Sequence, residues 1–399
     1  MTGEILTHLY KFWHMKMSRP KGNTMSAHPI PVIQVRGTHR QVGQQIGARM
    51  RPQLERIVRR AREGLPPGVS WEKMLQESQL YLTYSRAAYP QFVEELEGIA
   101  EGAGLPFEQV FLEMCEELWP TPERHGNVSG VSKGCTDFAA RGRATADGST
   151  LLAHTNDLAP EAEEDLVILR VQAGDEPEFL AVTVDGLGFS AGLNAVGISI
   201  TGNEVACNDI RPGVPRLLIV RAILAARRLG EAMGACLLPQ RASSYNNIIA
   251  DPNGEIYSME GSATDCEPIY IDDDILAHAN HYISSPMRRF EAHRNRISNS
   301  VIRYNRAMRL LRENYGRLSP ELFQQLLADH VNYPASICKH KGRTVTVFSM
   351  IINLNERRVW IGRGRPCETQ WCEHSLEPWR GTPLGAVVEP TGGTRQNTC

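Results

Sequence analysis

Residues 134–158 read GCTDFAARGRATADGSTLLAHTNDL, and this stretch decides how the chain folds. Residues 135–140 and 150–155 have the patterns of two short strands, and Asp147-Gly148 between them is a turn signal. The stretch therefore predicts an antiparallel hairpin. In a hairpin, the start of the first strand and the end of the second lie side by side.

A loop is predicted directly before this hairpin, because residues 119–134 read WPTPERHGNVSGVSKG and are dominated by Pro, Gly, Ser and Asn. Cys135 follows Gly134 at the end of that loop, and its thiol could attack the Gly134 carbonyl. Hydrolysis of the thioester would free the α-amine of Cys135, whose ordinary pKa of about 7.7–8.0 suits it as the base for its own thiol. These residues alone leave open a second interpretation, a buried strand cysteine without a chemical role.

The region before the loop is predicted to be helical. Thr38 and Gln41 form a T-x-x-Q capping box, and apolar residues follow at helical spacing. Gly43 and Gly47 share one side of this helix, which would let another element pack closely. Two further helices are predicted at about residues 90–103 and 106–118.

Strand patterns and blocks of helix follow the hairpin. Strands are predicted at about residues 166–171, 179–184, 197–201, 245–250, 255–260, 275–281, 344–352 and 358–362. Helices are predicted at about residues 215–228, 286–312 and 320–330. Paired strands with helices in blocks indicate an α+β fold in which antiparallel sheets are covered by helices.

The bulk composition excludes several classes of function. The 399 residues carry a formal net charge of −2, so no basic excess indicates nucleic-acid binding. No run approaches the roughly 20 apolar residues of a membrane span. The nine cysteines show no CxxC spacing, which favours reduced thiols and a cytoplasmic location. Cys367, Cys372 and His374 could together bind a metal, but their spacing is loose and the sequence shows no fourth ligand.

Ten stretches together resemble a known family. In order, they are RGTHRQVGQQIG (36–47), EELEGIAEGAGLPFEQVFLEMCEEL (94–118), GCTDFA (134–139), HTND (154–157), GLNAVGISITGN (192–203), RPGVP (211–215), HANH (278–281), NYPASIC (332–338), RTVTVF (343–348) and GRGRP (362–366). Their order and spacing are similar to those of the acyl-coenzyme A:6-aminopenicillanic acid (isopenicillin N) acyltransferase-like enzymes, which are N-terminal-nucleophile hydrolases of the peptidase C45 type.

The resemblance implies an αββα sandwich, with two antiparallel sheets between helical layers. It also implies autocatalytic cleavage between Gly134 and Cys135 and an acyl thioester on the cysteine, which is passed to water or to an amine. The substrate would be a small acyl-amide or acyl-coenzyme A type molecule, and no cofactor or metal would be required. Water is the baseline acceptor, because excluding it needs a specialised site.

The same resemblance divides the chain into segments. Residues 30–134 would be a helical pro-segment that stays bound as a small chain (1–134) after cleavage, and residues 135–380 would be the catalytic domain. Residues 1–29 are interpreted as a disordered extension, with Met25 as an alternative start to Met1. Residues 381–399 are interpreted as a disordered tail.

Three further catalytic residues are implied by the resemblance. Asp157 would orient the α-amine or the thiol, Asn280 would donate to the oxyanion of the thioester intermediate, and Arg343 would lower the pKa of the thiol. Their alternative interpretations are a turn-capping Asp, a sheet-edge Asn and a surface Arg. His278 and His281 are expected to be structural, because positions three apart on a strand face opposite sides.

Asn156, Leu158 and Asn203 are expected to contact substrate. Leu158 and Ala159 stand where the antibiotic-making members carry two aromatic residues, and Gly342 stands where they carry a serine beside the arginine. The resemblance therefore does not extend to penicillin synthesis. Two competing hypotheses remain open, an uncut thiol protease with an imidazole such as that of His281, and an inactive homologue that binds without catalysis.

Overall fold

A computed structural model describes residues 29–119, 134–184, 186–295 and 297–378 of the protein. The predicted N-terminal extension (apart from residue 29), the interior of the predicted loop at 119–134 and the predicted tail lie outside the described residues. No helix in the described part of the chain combines the length and apolar composition needed to cross a membrane.

The described residues form helices and strands in an α+β arrangement. The α-helices are α1 (His39–Glu63), α2 (Trp71–Ala88), α3 (Pro90–Ala103), α4 (Phe107–Met114), α5 (Arg216–Ala225), α6 (Leu229–Cys236), α7 (Ser298–Glu313) and α8 (Pro320–Leu327). The strands are β1 (Val32–Gly37), β2 (Gly134–Gly142), β3 (Gly148–Leu158), β4 (Val167–Ala173), β5 (Phe179–Thr183), β6 (Ala191–Asn194), β7 (Ser199–Asn203), β8 (Asn246–Ala250), β9 (Ile256–Gly261), β10 (Cys266–Tyr270), β11 (Ile275–His278), β12 (Val345–Asn353), β13 (Arg358–Arg363) and β14 (Trp371–Ser375).

Two sheets contain these strands. The larger has the order β1-β4-β5-β6-β7-β8-β9-β10, and the smaller has the order β11-β2-β3-β12-β13-β14. The predicted hairpin is confirmed as β2 and β3, which lie between β11 and β12 in the smaller sheet. All strand pairs are antiparallel except β1 with β4. Since β1 precedes the predicted cleavage site, the predicted helical pro-segment also supplies an edge strand.

The core has three layers of buried apolar side chains. Leu152, Val182 and Met350 belong to the layer between the two sheets. A second layer joins the outer face of the larger sheet to helices that include α1, α3 and α5. A third joins the outer face of the smaller sheet to α7 and α8. The order helix, sheet, sheet, helix confirms the predicted αββα sandwich.

Helices α1 and α3 cross at a contact made by glycines. A methyl group on Gly43 would lie 2.0 Å from the carbonyl oxygen of Glu95, and one on Gly47 would lie 2.1 Å from that of Ile99. Gly98 and Gly102 of α3 face the backbone of α1 equally closely. The close packing predicted for Gly43 and Gly47 is confirmed, and the capping box at the start of α1 is also present.

A buried ion cluster links this helix pair to the chain beyond the predicted cleavage site. Arg221 of α5 donates to Glu95 at 2.9 and 2.8 Å and to Glu176 at 2.9 Å. His39 of α1 lies 3.0 Å from Glu95. Burial disfavours the charged form of His39, but hydrogen bonds and charges from Glu176 and Glu95 outweigh it and raise its pKa to about 9. The segments on either side of Gly134 therefore share charges as well as apolar core.

The substitution Gly47→Ala is expected to lower the free energy of unfolding by about 3 kcal/mol or more, because the added carbon meets backbone that cannot move aside. Urea denaturation measures the difference. Gly234→Ala in α6 is the matched control, because nothing lies within 4 Å of the added carbon. The control should be neutral or more stable by up to about 1 kcal/mol. Equal stability of the two variants would contradict the tight helix crossing.

Candidate active site

The register of the hairpin sets the geometry of the site. Cys135 pairs with Asn156, and Gly134 pairs with Asp157. Directly opposed residues share a face of the sheet, so Cys135 and Asn156 face the larger sheet and line a cavity there. Asp157 lies on the opposite face. A side chain at Gly134 would place its first carbon 2.8 Å from Asp157 Oδ2, which explains a glycine before the cysteine.

The cavity beside Cys135 has a volume of about 230 Å³. Its walls are mainly apolar, and they include Val182, Phe189, Ile200, Leu217, Val220 and Phe348. Polar side chains line one part of the cavity. There Arg216 contacts Glu116, with its Nε 2.9 Å from the carboxylate, and its guanidinium lies 3.6 Å above the ring of Tyr245. The cavity therefore suits a small molecule with an apolar portion.

The thiol of Cys135 is buried and uncharged in the uncut chain. Burial, followed by the charges of Asp137 and Asp157, raises its pKa well above the ordinary value. In the described part of the chain, no histidine hydrogen bonds to its sulfur. His154 lies 2.6 Å from Asp137, and His281 lies 2.7 Å from the hydroxyl of Ser300. Activation of this thiol therefore needs a base other than these side chains.

The amide of Asn280 contacts Cys135 through its oxygen. Asn280 Oδ1 accepts the backbone N–H of Cys135 at 2.9 Å, whereas its Nδ2 donates to the carbonyl of Glu204 at 3.0 Å. Asn280 follows β11 by two residues rather than lying within a strand. Asn280 therefore contacts Cys135, as the sequence interpretation requires, but its NH₂ group points to Glu204.

Arg303 of α7 is the cation at this site, and the sequence interpretation missed it. Its guanidinium contacts the carbonyl oxygen of Cys135 and donates to Thr136 Oγ1 at 2.8 Å and to Asn280 Oδ1 at 2.7 Å. The side chain is fully enclosed, and its charge acts on Asp157. A signal was present, because Arg303 lies on the buried stripe of α7 with Ala307 and Leu310.

Asp157 is buried with one carboxylate oxygen satisfied. Its Oδ1 accepts the hydroxyl of Thr346 at 2.7 Å, and its Oδ2 has no hydrogen-bond partner. Burial raises the pKa of Asp157, while the charges of Arg303 and Lys339 act in the opposite direction. Because Gly134 is its register partner, the unsatisfied oxygen lies beside the predicted cleavage site.

Two other expected site residues lie elsewhere. Arg343 is exposed, because it stands in the loop before β12, whereas the arginine in contact with Cys135 is Arg303. Asn203 is fully buried, and its oxygen lies 3.3 Å from Asn246 Nδ2 and 3.1 Å from His278 Nδ1. Asn203 does not line the cavity, and its contacts are with buried polar side chains. Asn156 and Leu158 do line the cavity.

His278 and His281 have different hydrogen-bond partners, although their rings stack with centroids 6.5 Å apart. His278 is fully buried and lies 2.7 Å from Glu260. His281 is bonded to Ser300, and burial, followed by the nearby His278, lowers its pKa to about 4. That both histidines are structural stays a prediction. His281 also lacks the contact with Cys135 that a thiol protease would need.

The chain is similar to known acyltransferases and hydrolases. The family model described as acyl-coenzyme A:6-aminopenicillanic acid acyl-transferase matches residues 144–368, more than half of the chain. The 40 kDa form of acyl-coenzyme A:6-aminopenicillanic-acid-acyltransferase from Emericella nidulans is 25% identical over 301 residues, covering 74% of this chain and 80% of that protein. The beta-alanyl-dopamine/carcinine hydrolase of Drosophila melanogaster is 26% identical over 253 residues, covering 58% and 64%.

Solved structures show more distant likenesses. A conjugated bile acid hydrolase from Clostridium perfringens has a TM-score of 0.41 at 11% identity, over 57% of this chain and 89% of that one. The penicillin V acylase of Agrobacterium tumefaciens has a TM-score of 0.35 at 12% identity, over 57% and 83%. Likeness at this level carries no argument about the site.

Replacing Arg303 by methionine is expected to lower the free energy of unfolding by about 3–5 kcal/mol, because it leaves buried carboxylates without their cation. Arg309→Met in the same helix removes an exposed arginine and should change stability by less than about 0.5 kcal/mol. Urea denaturation of the two variants tests this. A mild effect of Arg303→Met, comparable to that of Arg309→Met, would refute the role of Arg303 as the charge partner of the site.

Proposed function

The chain belongs to the acyl-coenzyme A:6-aminopenicillanic acid acyl-transferase family, and we propose from this premise that Cys135 is its N-terminal nucleophile. The nucleophile would be released by cleavage of the Gly134–Cys135 bond. The surroundings of Cys135 carry the proposal. Cys135 follows Gly134 at the start of β2, faces an apolar cavity, and has no hydrogen bond from a histidine among the described residues.

The cleavage step uses groups already beside the bond. The thiol adds to the Gly134 carbonyl, and the peptide nitrogen leaves as the α-amine of Cys135 with a proton from the thiol. Water then hydrolyses the thioester, giving a carboxylate at Gly134 and a free thiol. Asn280 and Arg303 hold the backbone N–H and C=O of Cys135 during this rearrangement. Fixing both sides of the nucleophile limits its motion and favours attack.

Catalysis after cleavage would also proceed by attack of the Cys135 sulfur on a carbonyl carbon. The α-amine takes the thiol proton, and the thiolate adds to the carbonyl of a bound acyl-amide. The leaving amine receives the proton from the α-ammonium, and the acyl group remains as a thioester on Cys135. Water or a second amine then adds to the thioester and restores the thiol.

The side chains around Cys135 would have separate roles in this scheme. Asn280 Oδ1 and the unsatisfied Oδ2 of Asp157 are acceptors for an α-ammonium, and Arg303 is a positioning residue that holds Asn280. The oxyanion role of Asn280 stays a prediction, since its NH₂ group donates to Glu204 in the uncut chain. The cytoplasmic location also stays a prediction.

We assign the substrate to the small acyl-amides, with the acyl group in the cavity. The relatives named for transfer to 6-aminopenicillanic acid and for hydrolysis of beta-alanyl-dopamine or carcinine both support an amide of a small molecule. The apolar walls favour an acyl group with little charge. Water is the acceptor we favour, because excluding it needs a specialised site.

The first test is denaturing intact mass of the purified protein. The wild type should give two chains, residues 1–134 and 135–399, that separate only under denaturing conditions, whereas Cys135→Ala should stay whole and inactive. Cys266→Ala, which removes another free cysteine, should be cleaved normally. An uncut and unreactive wild type would favour the inactive homologue. An uncut enzyme that is active, and is inhibited by thiol alkylation, would favour an ordinary thiol hydrolase.

A second test uses a substitution that narrows the cavity. Gly202 lines it, and a side-chain carbon added there would meet only ordinary contacts of 3.5 Å or more. Gly202→Val should lower kcat/KM about tenfold or more for long acyl groups and spare short ones, since one methylene is worth about 10–200-fold in such a pocket. A series of N-acyl amides of increasing chain length gives the readout. Gly230→Val in α6 is the control, and equal loss for all chain lengths would contradict the acyl-site assignment.

A further inference from the structure

Four potential metal ligands converge at a place that the proposed chemistry does not use. His330 follows α8, Cys338 and His340 stand in the loop before β12, and Cys367 follows β13. One ligand atom from each lies within 4.8 Å of all the others. Cys338 and Cys367 are both free thiols. Residues from three separate segments therefore direct two sulfurs and two ring nitrogens at one point.

The distances between these atoms match a tetrahedral metal site. Cys338 Sγ lies 3.6 Å from Cys367 Sγ and 3.5 Å from His340 Nε2. His340 Nε2 lies 3.1 Å from Cys367 Sγ and 3.0 Å from His330 Nε2. Zinc bonds of about 2.3 Å to sulfur and about 2.0–2.1 Å to nitrogen at tetrahedral angles imply separations of about 3.8, 3.5 and 3.3 Å for S–S, S–N and N–N pairs. These four distances fall within a few tenths of an ångström of the values for zinc, and the two remaining pairs, His330 with each cysteine, lie within 4.8 Å.

The chemistry of the ligands selects the metal. Thiolate and imidazole are the ligands of zinc, whereas magnesium and calcium prefer oxygen. Two thiolates and two neutral imidazoles also balance the charge of Zn²⁺. The carboxylate of Glu368 lies 3.7 Å from Nδ1 of His340, on the ring nitrogen opposite the cluster. A carboxylate at that position helps to orient a metal-binding histidine.

We propose that His330, Cys338, His340 and Cys367 bind one zinc ion as a structural site. Four protein ligands leave no open position for water or substrate, so the ion would hold the fold rather than take part in the chemistry. These ligands differ from the possible metal ligands in the sequence analysis, where Cys367 was grouped with Cys372 and His374. Those two residues lie on β14, and they are not part of the cluster.

The ion would fix a loop that reaches the candidate active site. Lys339 stands between two of the ligands, and its backbone N–H donates to Thr346 Oγ1 at 3.0 Å. The same hydroxyl donates to Asp157 Oδ1 at 2.7 Å. Binding of zinc would thus link the loop before β12 to the segment after β13. It would also stabilise the hydrogen bonds from Lys339 to Thr346 and from Thr346 to Asp157.

A disulfide between Cys338 and Cys367 is the competing state. A bonded pair would have its sulfurs about 2.05 Å apart, and these lie 3.6 Å apart. Oxidation would remove two of the four ligands and abolish zinc binding. The two states are therefore mutually exclusive and can be separated by mass and metal content.

The experiment is metal analysis of the full-length protein, purified under reducing conditions, offered zinc and then dialysed against metal-free buffer. About one zinc per chain should remain. Replacing zinc with Co²⁺ should give the intense absorption of tetrahedral thiolate coordination. Cys367→Ser alters an exposed ligand, and it should lose the bound metal together with the Co²⁺ spectrum. Cys266→Ser should keep both, as a control for the loss of a thiol.

Two results would overturn the proposal. One is a wild type that retains less than about a tenth of a zinc per chain and has no Co²⁺ spectrum, and the other is a Cys367→Ser variant that binds as well as the wild type. The zinc content and Co²⁺ spectrum of the wild type test the proposal even if the Cys367→Ser variant folds poorly. Cleavage at Cys135 is read separately by mass, so failure of the proposed function leaves this result intact.

Discussion

The register between β2 and β3 is the constraint on which the rest of the site depends. Side chains alternate along a strand, so a slip of β2 by one residue would turn Cys135 away from the cavity, to the face of the sheet on which Asp157 lies. Buried side chains on both faces hold the register, with Ala139 and Leu152 toward the larger sheet and Phe138 toward α7 and α8. The same apolar packing that stabilises the sandwich therefore also places the nucleophile.

Sequence patterns predicted the elements whose signals are local. The capping box of α1 and the hairpin lie where they were expected, because each depends on residues near in sequence. Strand β6 (Ala191–Asn194) was missed because AGLN has little strand propensity and pairs only through its neighbours β5 and β7. Arg303 and the His330 cluster were missed for a related reason. The spacing of Arg303 with Ala307 and Leu310 indicates a buried position in a helix, but the partners of Arg303 and of His330 lie on distant segments that only packing brings together.

The segment before Gly134 is part of the same folded unit. It supplies β1 to the larger sheet, and the glycine contact between α1 and α3 allows both helices to cover one face of that sheet. Arg221 then joins Glu95 on this segment to Glu176 beyond the hairpin. If the chain is cut as proposed, these buried contacts are unaffected. Two chains that share one core would separate only by unfolding, which explains how cleavage could activate the enzyme without releasing the segment.

Buried charge around Cys135 gives a physical reason for coupling cleavage to activity. In the intact chain, burial and then the charges of Asp137 and Asp157 raise the pKa of the thiol, and each of these two side chains has one carboxylate oxygen without a hydrogen-bond partner. The proposed cut would add an α-ammonium beside them. A new positive charge there would stabilise the carboxylates, and its electrostatic attraction would favour the thiolate. The carboxylates that add to the effect of burial on the thiol in the intact chain would thus hold its base after cleavage.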